Sequence, residues 1–150
     1  MKDTLKQIKL GKGLGDLQFG MSRTEVKALL GDPTEIDQNP FDDEAGAQTE
    51  SWHYDQLKLS LSFEEAFGWE MDTIAVTDAA YLLDGKSLIG KSLGDVKAVL
   101  EKMDINDLEL EDHNDHDIPN NKLLTSASQL INFWFDNEVL VEIQWGPDEG

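Results

Sequence analysis

Cysteine is absent from the 150 residues, which removes a disulfide scaffold, a thiolate metal site, thiol chemistry and lipid attachment through a thiol. Cations are scarce. Twelve Lys+Arg stand against 31 Asp+Glu, a formal net charge of −19 with neutral His. A chain of that sign offers little to a phosphate backbone, so nucleic acid is not an expected partner. It permits a basic protein partner, whose approach a strongly acidic surface accelerates, and serves solubility or a salt-rich habitat equally well. No run reaches the length of an apolar membrane span, and Met1-Lys2-Asp3-Thr4-Leu5-Lys6-Gln7-Ile8-Lys9-Leu10 contains no apolar signal core. We therefore expect a cytoplasmic location, no membrane partner and no cofactor. Hydrophobic residues make up 39% of the chain, enough for the core of one domain at this length.

Most of what is present is organised around Gly20-Met21-Ser22-Arg23-Thr24-Glu25-Val26-Lys27-Ala28-Leu29-Leu30-Gly31-Asp32-Pro33. Ser22 is placed to cap a helix and Glu25, three residues on, to close a capping box. Gly31 supplies a left-handed stop and Pro33 prevents resumption. The design returns as Gly90-Lys91-Ser92-Leu93-Gly94-Asp95-Val96-Lys97-Ala98-Val99-Leu100, with Asp95 in the place of Glu25. This second helix is expected from about Leu93 to Met103, burying Val96, Val99 and Leu100.

Each helix is followed by an acidic segment and then by alternating strands. Residues 32–50 hold seven carboxylates and no Lys or Arg, with Pro33, Pro40 and Gly46, and we expect an exposed connection there. Residues 104–117 repeat that composition. After the first segment, Ser51-Trp52-His53-Tyr54 opens a strand, and residues 57–63 alternate so that Leu57, Leu59, Leu61 and Phe63 face a core. Residues 72–77 return with Ile74 and Val76 inward. In the second half, residues 129–135 place Ile131, Phe133 and Phe135 inward, and residues 139–145 put Ile143 and Trp145 where Ile74 and Val76 stand. Gly11, Gly13 and Gly15 have phosphate-loop spacing, but no helix opening on Lys-Ser/Thr follows, so they form a turn. The fold expected is α+β: two pseudo-symmetric helix–meander units, residues 13–80 and 83–147, forming one antiparallel sheet with the helices on one face, within a single domain of residues 1–150.

The phrase Gly20-Met21-Ser22-Arg23-Thr24-Glu25-Val26, the ending Leu30-Gly31-Asp32-Pro33, then Trp52-His53-Tyr54 and an alternating strand closing on Phe63, resembles the helix-plus-meander repeat of the small outer-membrane assembly lipoproteins of SmpA/OmlA type. The β-lactamase inhibitor protein family is similar in carrying that repeat in tandem. The resemblance implies a binding module with no catalytic residues to carry over. This chain departs from both families in having no cysteine for lipidation or disulfides, and no signal peptide is expected from its first ten residues. What it then looks like is a small acidic protein of the inhibitor or immunity type, neutralising a basic partner such as a toxin.

Candidate chemistry is thin. Asp112-His113-Asn114-Asp115-His116-Asp117 concentrates metal-ligand residue types. His113 and His116 are its candidate ligands, and a metal-dependent hydrolase or metal-binding protein is the alternative function. The run fails the calcium-loop pattern because Asp117 stands where glycine is needed. The adjacent carboxylates Glu64 and Glu65, and Asp42, Asp43 and Glu44, belong to solvated turns, where an acid and a base cannot be given different environments. His53 points outward between two inward aromatics, and spacing alone assembles no Ser–His–Asp set. We expect no enzyme. The informative residue is Trp134, which alternation directs away from Phe133 and Phe135, onto the sheet face opposite the core. With Asn132, Glu142, Gln144, Ser60 and Ser62 it would form a partner-binding face, rimmed by Asp42, Asp43 and Glu44.

Overall fold

The computed structural model describes residues 6–42, 47–65, 68–112 and 121–147. In chain order these form β1 (Gln7–Lys9), β2 (Gly13–Leu14), β3 (Leu17–Gln18), α1 (Arg23–Leu30), β4 (Glu35–Asp42), β5 (Ala47–Tyr54), β6 (Leu59–Glu64), β7 (Glu70–Val76), β8 (Leu82–Leu83), β9 (Lys86–Ser87), α2 (Leu93–Lys102), β10 (Leu108–Asp112), β11 (Asn121–Ser126), β12 (Ile131–Asp136) and β13 (Val139–Trp145). The class is α+β, with two sheets in which antiparallel pairing dominates.

Both helices start as the sequence specifies. Ser22 Oγ accepts from the Glu25 amide and the Glu25 carboxylate accepts from the Ser22 amide, closing the capping box. Ser92 caps α2 through the Asp95 amide. Gly31 ends α1 at φ 85°, a backbone conformation that suits glycine. Val26, Val96 and Leu100 are buried, while Val99 and Met103 pack against the core from its margin. The approach to each helix is tied to a strand. Gly20 donates to Met71 and Met71 to Met21, both at 2.9 Å. Gly90 donates to Leu140 at 2.8 Å and Leu140 to Lys91 at 2.9 Å.

The large sheet runs β10-β11-β12-β13-β7-β6-β5-β4, so four strands from each half of the chain meet at its centre. The meeting is the antiparallel seam Ile143↔Val76, Gln144↔Ala75 and Trp145↔Ile74. Alternation along the strands buries Leu59, Leu61, Phe63, Ile74, Val76, Ile131, Phe133, Phe135, Ile143 and Trp145, as their period of two requires. These join the helix residues and Leu14, Leu17, Leu83 and Leu88 in one cluster. Leu57 is outside the strand: it sits in the turn before β6, where Lys58 takes φ 52°, and still packs on the core.

Two expectations need correction. The acidic segments are not simply exposed connections. The described part of the first is the hairpin of β4 and β5, and the described part of the second ends in β10, paired with β11. Proline and a lack of cations argued for loops, yet an edge strand needs only one set of ladder bonds. It tolerates Pro40 for that reason, and its carboxylates deter further strand addition. A single sheet was also too simple. A second sheet, β3-β2-β1-β8-β9, is made of strands too short to show a period, with β1 and β8 parallel. It carries Leu14 and Leu17 into the core and meets the large sheet where Trp145 Nε1 donates to the Gly13 carbonyl at 3.1 Å.

Candidate functional site

The face of the large sheet away from the core can be followed residue by residue through the register. One row crosses all eight strands: Glu109, Thr125, Asn132, Gln144, Ala75, Ser60, His53 and Glu35. The two end residues are exposed and the six between are half-buried. An adjoining row places Glu111, Leu123, Trp134 and Glu142 opposite one another in turn. Trp134 is half-buried, between a buried leucine on β11 and a half-buried carboxylate on β13. Burial pushes the Glu142 carboxyl above its ordinary range.

The sequence-predicted residues Trp134, Asn132, Glu142, Gln144 and Ser60 are therefore brought together, with Ser62 one residue pair further along β6 opposite Thr73. Ser60, Lys58, Thr77 and Glu142 line a shallow pocket of about 230 Å³ beside the seam. Asp42 closes β4 at the outer edge of the sheet, opposite Ala47. Asp43 and Glu44 lie outside the described residues, as do His113 and His116. Among the described residues no group of three His, Asp or Glu is placed to hold a metal ion. No described helix is long and apolar enough to cross a membrane.

One constellation escaped the sequence. His53 Nδ1 lies 2.9 Å from Ser60 Oγ and His53 Nε2 lies 3.0 Å from Asp37 Oδ2. The hairpin of β5 and β6 sets His53 against Ser60, which the alternating pattern could have supplied. Asp37 could not be found, because its segment had no strand pattern to read. The trio has the residue types of a catalytic triad, but Ser60 stands inside a strand paired on both sides, to His53 and to Ala75. Its neighbouring backbone N–H groups are committed to those ladders and do not converge on a point above Ser60 Oγ, where an oxyanion would need them.

A second carboxylate that the sequence did not single out is structural. Glu50, on the core side of β5, is buried and accepts from Trp52 Nε1 at 2.6 Å, Gln38 Nε2 at 2.9 Å and Arg23 Nη1 at 3.2 Å. Arg23 also lies over the Trp69 ring, 4.5 Å from its centre. Burial pushes the Glu50 carboxyl up, and the hydrogen bonds from Trp52 and Gln38 with the Arg23 charge outweigh it, leaving the group below its ordinary range. This cluster fixes α1 to β5 and places no reactive group at the surface.

No family model, curated protein or solved structure matches this chain.

Proposed function

We propose that this chain is a non-catalytic protein-binding module, an acidic inhibitor or immunity-type protein. Its working surface is the open face of the large sheet, and its partner is a basic protein. The observation that carries this is the face itself. A band of half-buried side chains, polar except for Ala75 at the seam and with Trp134 in the row beside it, is flanked at both sheet edges by exposed carboxylates: Glu35 and Asp37 on β4, Glu109 and Glu111 on β10. The acidic rim belongs to the edge strands rather than to loops. A large aromatic among polar groups is the usual form of an interface anchor, and a rim of one sign steers encounter.

The proposed architecture is a pseudo-twofold pair of helix–meander units with both helices on the core side of the sheet. Three observations support it. The Gly20–Met71–Met21 bonds are matched by Gly90–Leu140–Lys91. Lys58 and Leu130 both take a left-handed backbone, φ 52° and 53°, and accept from Thr77 and Gly146. With Ile143 and Trp145 equated to Ile74 and Val76, the seam maps onto itself about Ala75 and Gln144. The tandem repeat of the β-lactamase inhibitor proteins has this kind of arrangement, which favours binding over catalysis.

Neutralising the rim tests the steering. In the double variant Glu35→Gln, Glu109→Gln, association with the basic partner should slow several-fold at low salt and its salt dependence should flatten, while the dissociation rate changes little. Stopped-flow or surface kinetics at two ionic strengths reads both rates. An unchanged association rate with faster dissociation would place these carboxylates inside the contact and remove the steering role.

A further inference from the structure

β10 is the outermost strand of the large sheet on the side of the second half, paired with β11 alone. Its register runs from Leu108↔Ser126 to Asp112↔Lys122 without a shift, and its sequence, Leu-Glu-Leu-Glu-Asp, holds no proline. In antiparallel pairing, alternate residues of such a strand turn their N–H and C=O away from the partner. No described strand pairs with that side. The start of the strand is pinned, because the Asp107 carboxylate accepts from Ser126 Oγ at 2.7 Å and from the Ser128 amide at 2.8 Å. The opposite edge, β4, is a poorer template. Pro40 lacks an N–H, the register shifts between Pro40 and Asp42, and the Asp37 carboxylate is held by the His53 ring.

The two sides of β10 ask for different neighbours. On the core side Leu108 packs against the core. Leu110, two residues on, continues the buried row of Leu124, Phe133 and Ile143 yet is itself 44% exposed. On the open side stand Glu109 and Glu111, both exposed. An added strand therefore covers Leu110 with an apolar residue and sets basic residues against the glutamates. A second copy of this chain does not meet that need. Antiparallel pairing of two β10 strands about Leu110 would set Glu109 against Glu111 twice, and like charges directly opposite one another destabilise a sheet. The carboxylates that deter another acidic strand favour a basic one.

We propose that β10 is a docking edge for an extended segment of a partner protein in which basic and apolar residues alternate, the segment adding a ninth strand to the large sheet. Backbone hydrogen bonds along the edge hold it. Leu110 and the two glutamates select its sequence. The edge is a separate contact from the open sheet face, so it stands or falls independently of that function.

The test uses the whole protein and three probes: a short peptide alternating Lys and Val, the same peptide N-methylated at two adjacent central residues, and a peptide alternating Lys and Ser. All three carry the same charge, which matters because a −19 surface attracts any cation weakly. Amide chemical shifts and hydrogen exchange locate binding. With the Lys–Val peptide we expect saturable shifts at Leu108–Asp112, and exchange of the outward amides there should slow about tenfold or more. The N-methylated peptide, which lacks a donor towards the edge, and the Lys–Ser peptide, which leaves Leu110 uncovered, should each bind about tenfold or more weakly. Glu109→Lys and Leu110→Ser should each weaken the Lys–Val peptide several-fold. Both side chains are exposed, so the rest of the amide spectrum should stay in place. Equal binding of the N-methylated peptide, shifts at β4 that match those at β10, shifts centred on Trp134, or no binding at all would overturn the proposal. Protection of β10 that rises with protein concentration in the absence of peptide would also overturn it, assigning the edge to a second copy.

Discussion

Gly13→Ala should cost the fold about 3 kcal/mol or more, the range of combined backbone strain and steric overlap. Gly13 has φ 151°, a backbone conformation that L side chains rarely adopt, and a Cβ there would stand 2.0 Å from the Leu17 carbonyl oxygen and 2.8 Å from its carbon. Both obstacles are backbone, so no rotamer change relieves them. The β2–β3 pairing, Gly13↔Gln18 and Leu14↔Leu17, would have to open. That opening also moves the Gly13 carbonyl, which accepts from Trp145 Nε1 and so links the small sheet to the centre of the large one. Chemical denaturation should show the midpoint falling with an unchanged slope. A loss below about 0.5 kcal/mol, the level of an ordinary surface substitution, would mean that the small sheet does not hold this geometry.

Glu50→Ala should be of similar size, about 3 kcal/mol, the lower end of the loss on breaking a buried ion pair because the Arg23 side chain is 39% exposed. It removes the acceptor of three donors at once, and the Trp52 N–H is left buried with nothing to meet. The same group gives the protein an acid sensitivity with a definite sign. Its folded value lies below the ordinary 4.5, so its contribution is present above that pH and is lost as pH falls through the folded value. Unfolding measured between pH 3 and 6 should therefore show a decline below about 4.5 that is shallower in Glu50→Ala. A parallel profile in the variant would assign the acid sensitivity to other carboxylates.

What the sequence made legible was everything that repeats at a period or carries a capping residue. Ser22, Glu25 and Gly31 specified α1, and the inward series from Leu59 to Trp145 specified the central strands of the large sheet. The polar face followed as its complement. Edge strands were not legible, because Glu35 to Gln38 and Leu108 to Asp112 bury too little to show alternation. The small sheet was not legible either: two or three residues cannot display a period, and its pairing of β1 with β8 joins segments some seventy residues apart. Asp37–His53–Ser60 and Arg23–Glu50 were hidden for the same reason, since one member of each came from a segment with no strand pattern.

Trp134 offers the most direct measurement. Immobilised protein, wild type and Trp134→Ala, should be used to capture a binding partner from the cells that produce it, followed by affinity measurement on the purified partner. The wild type should hold a basic protein at equal stoichiometry. Trp134→Ala should bind it about 2 kcal/mol more weakly, roughly 30-fold, while keeping the wild-type circular dichroism spectrum and denaturation midpoint within about 1 kcal/mol. A variant that binds as tightly as the wild type would contradict the placement of the interface on the open sheet face, and one that unfolds would show Trp134 to be part of the core.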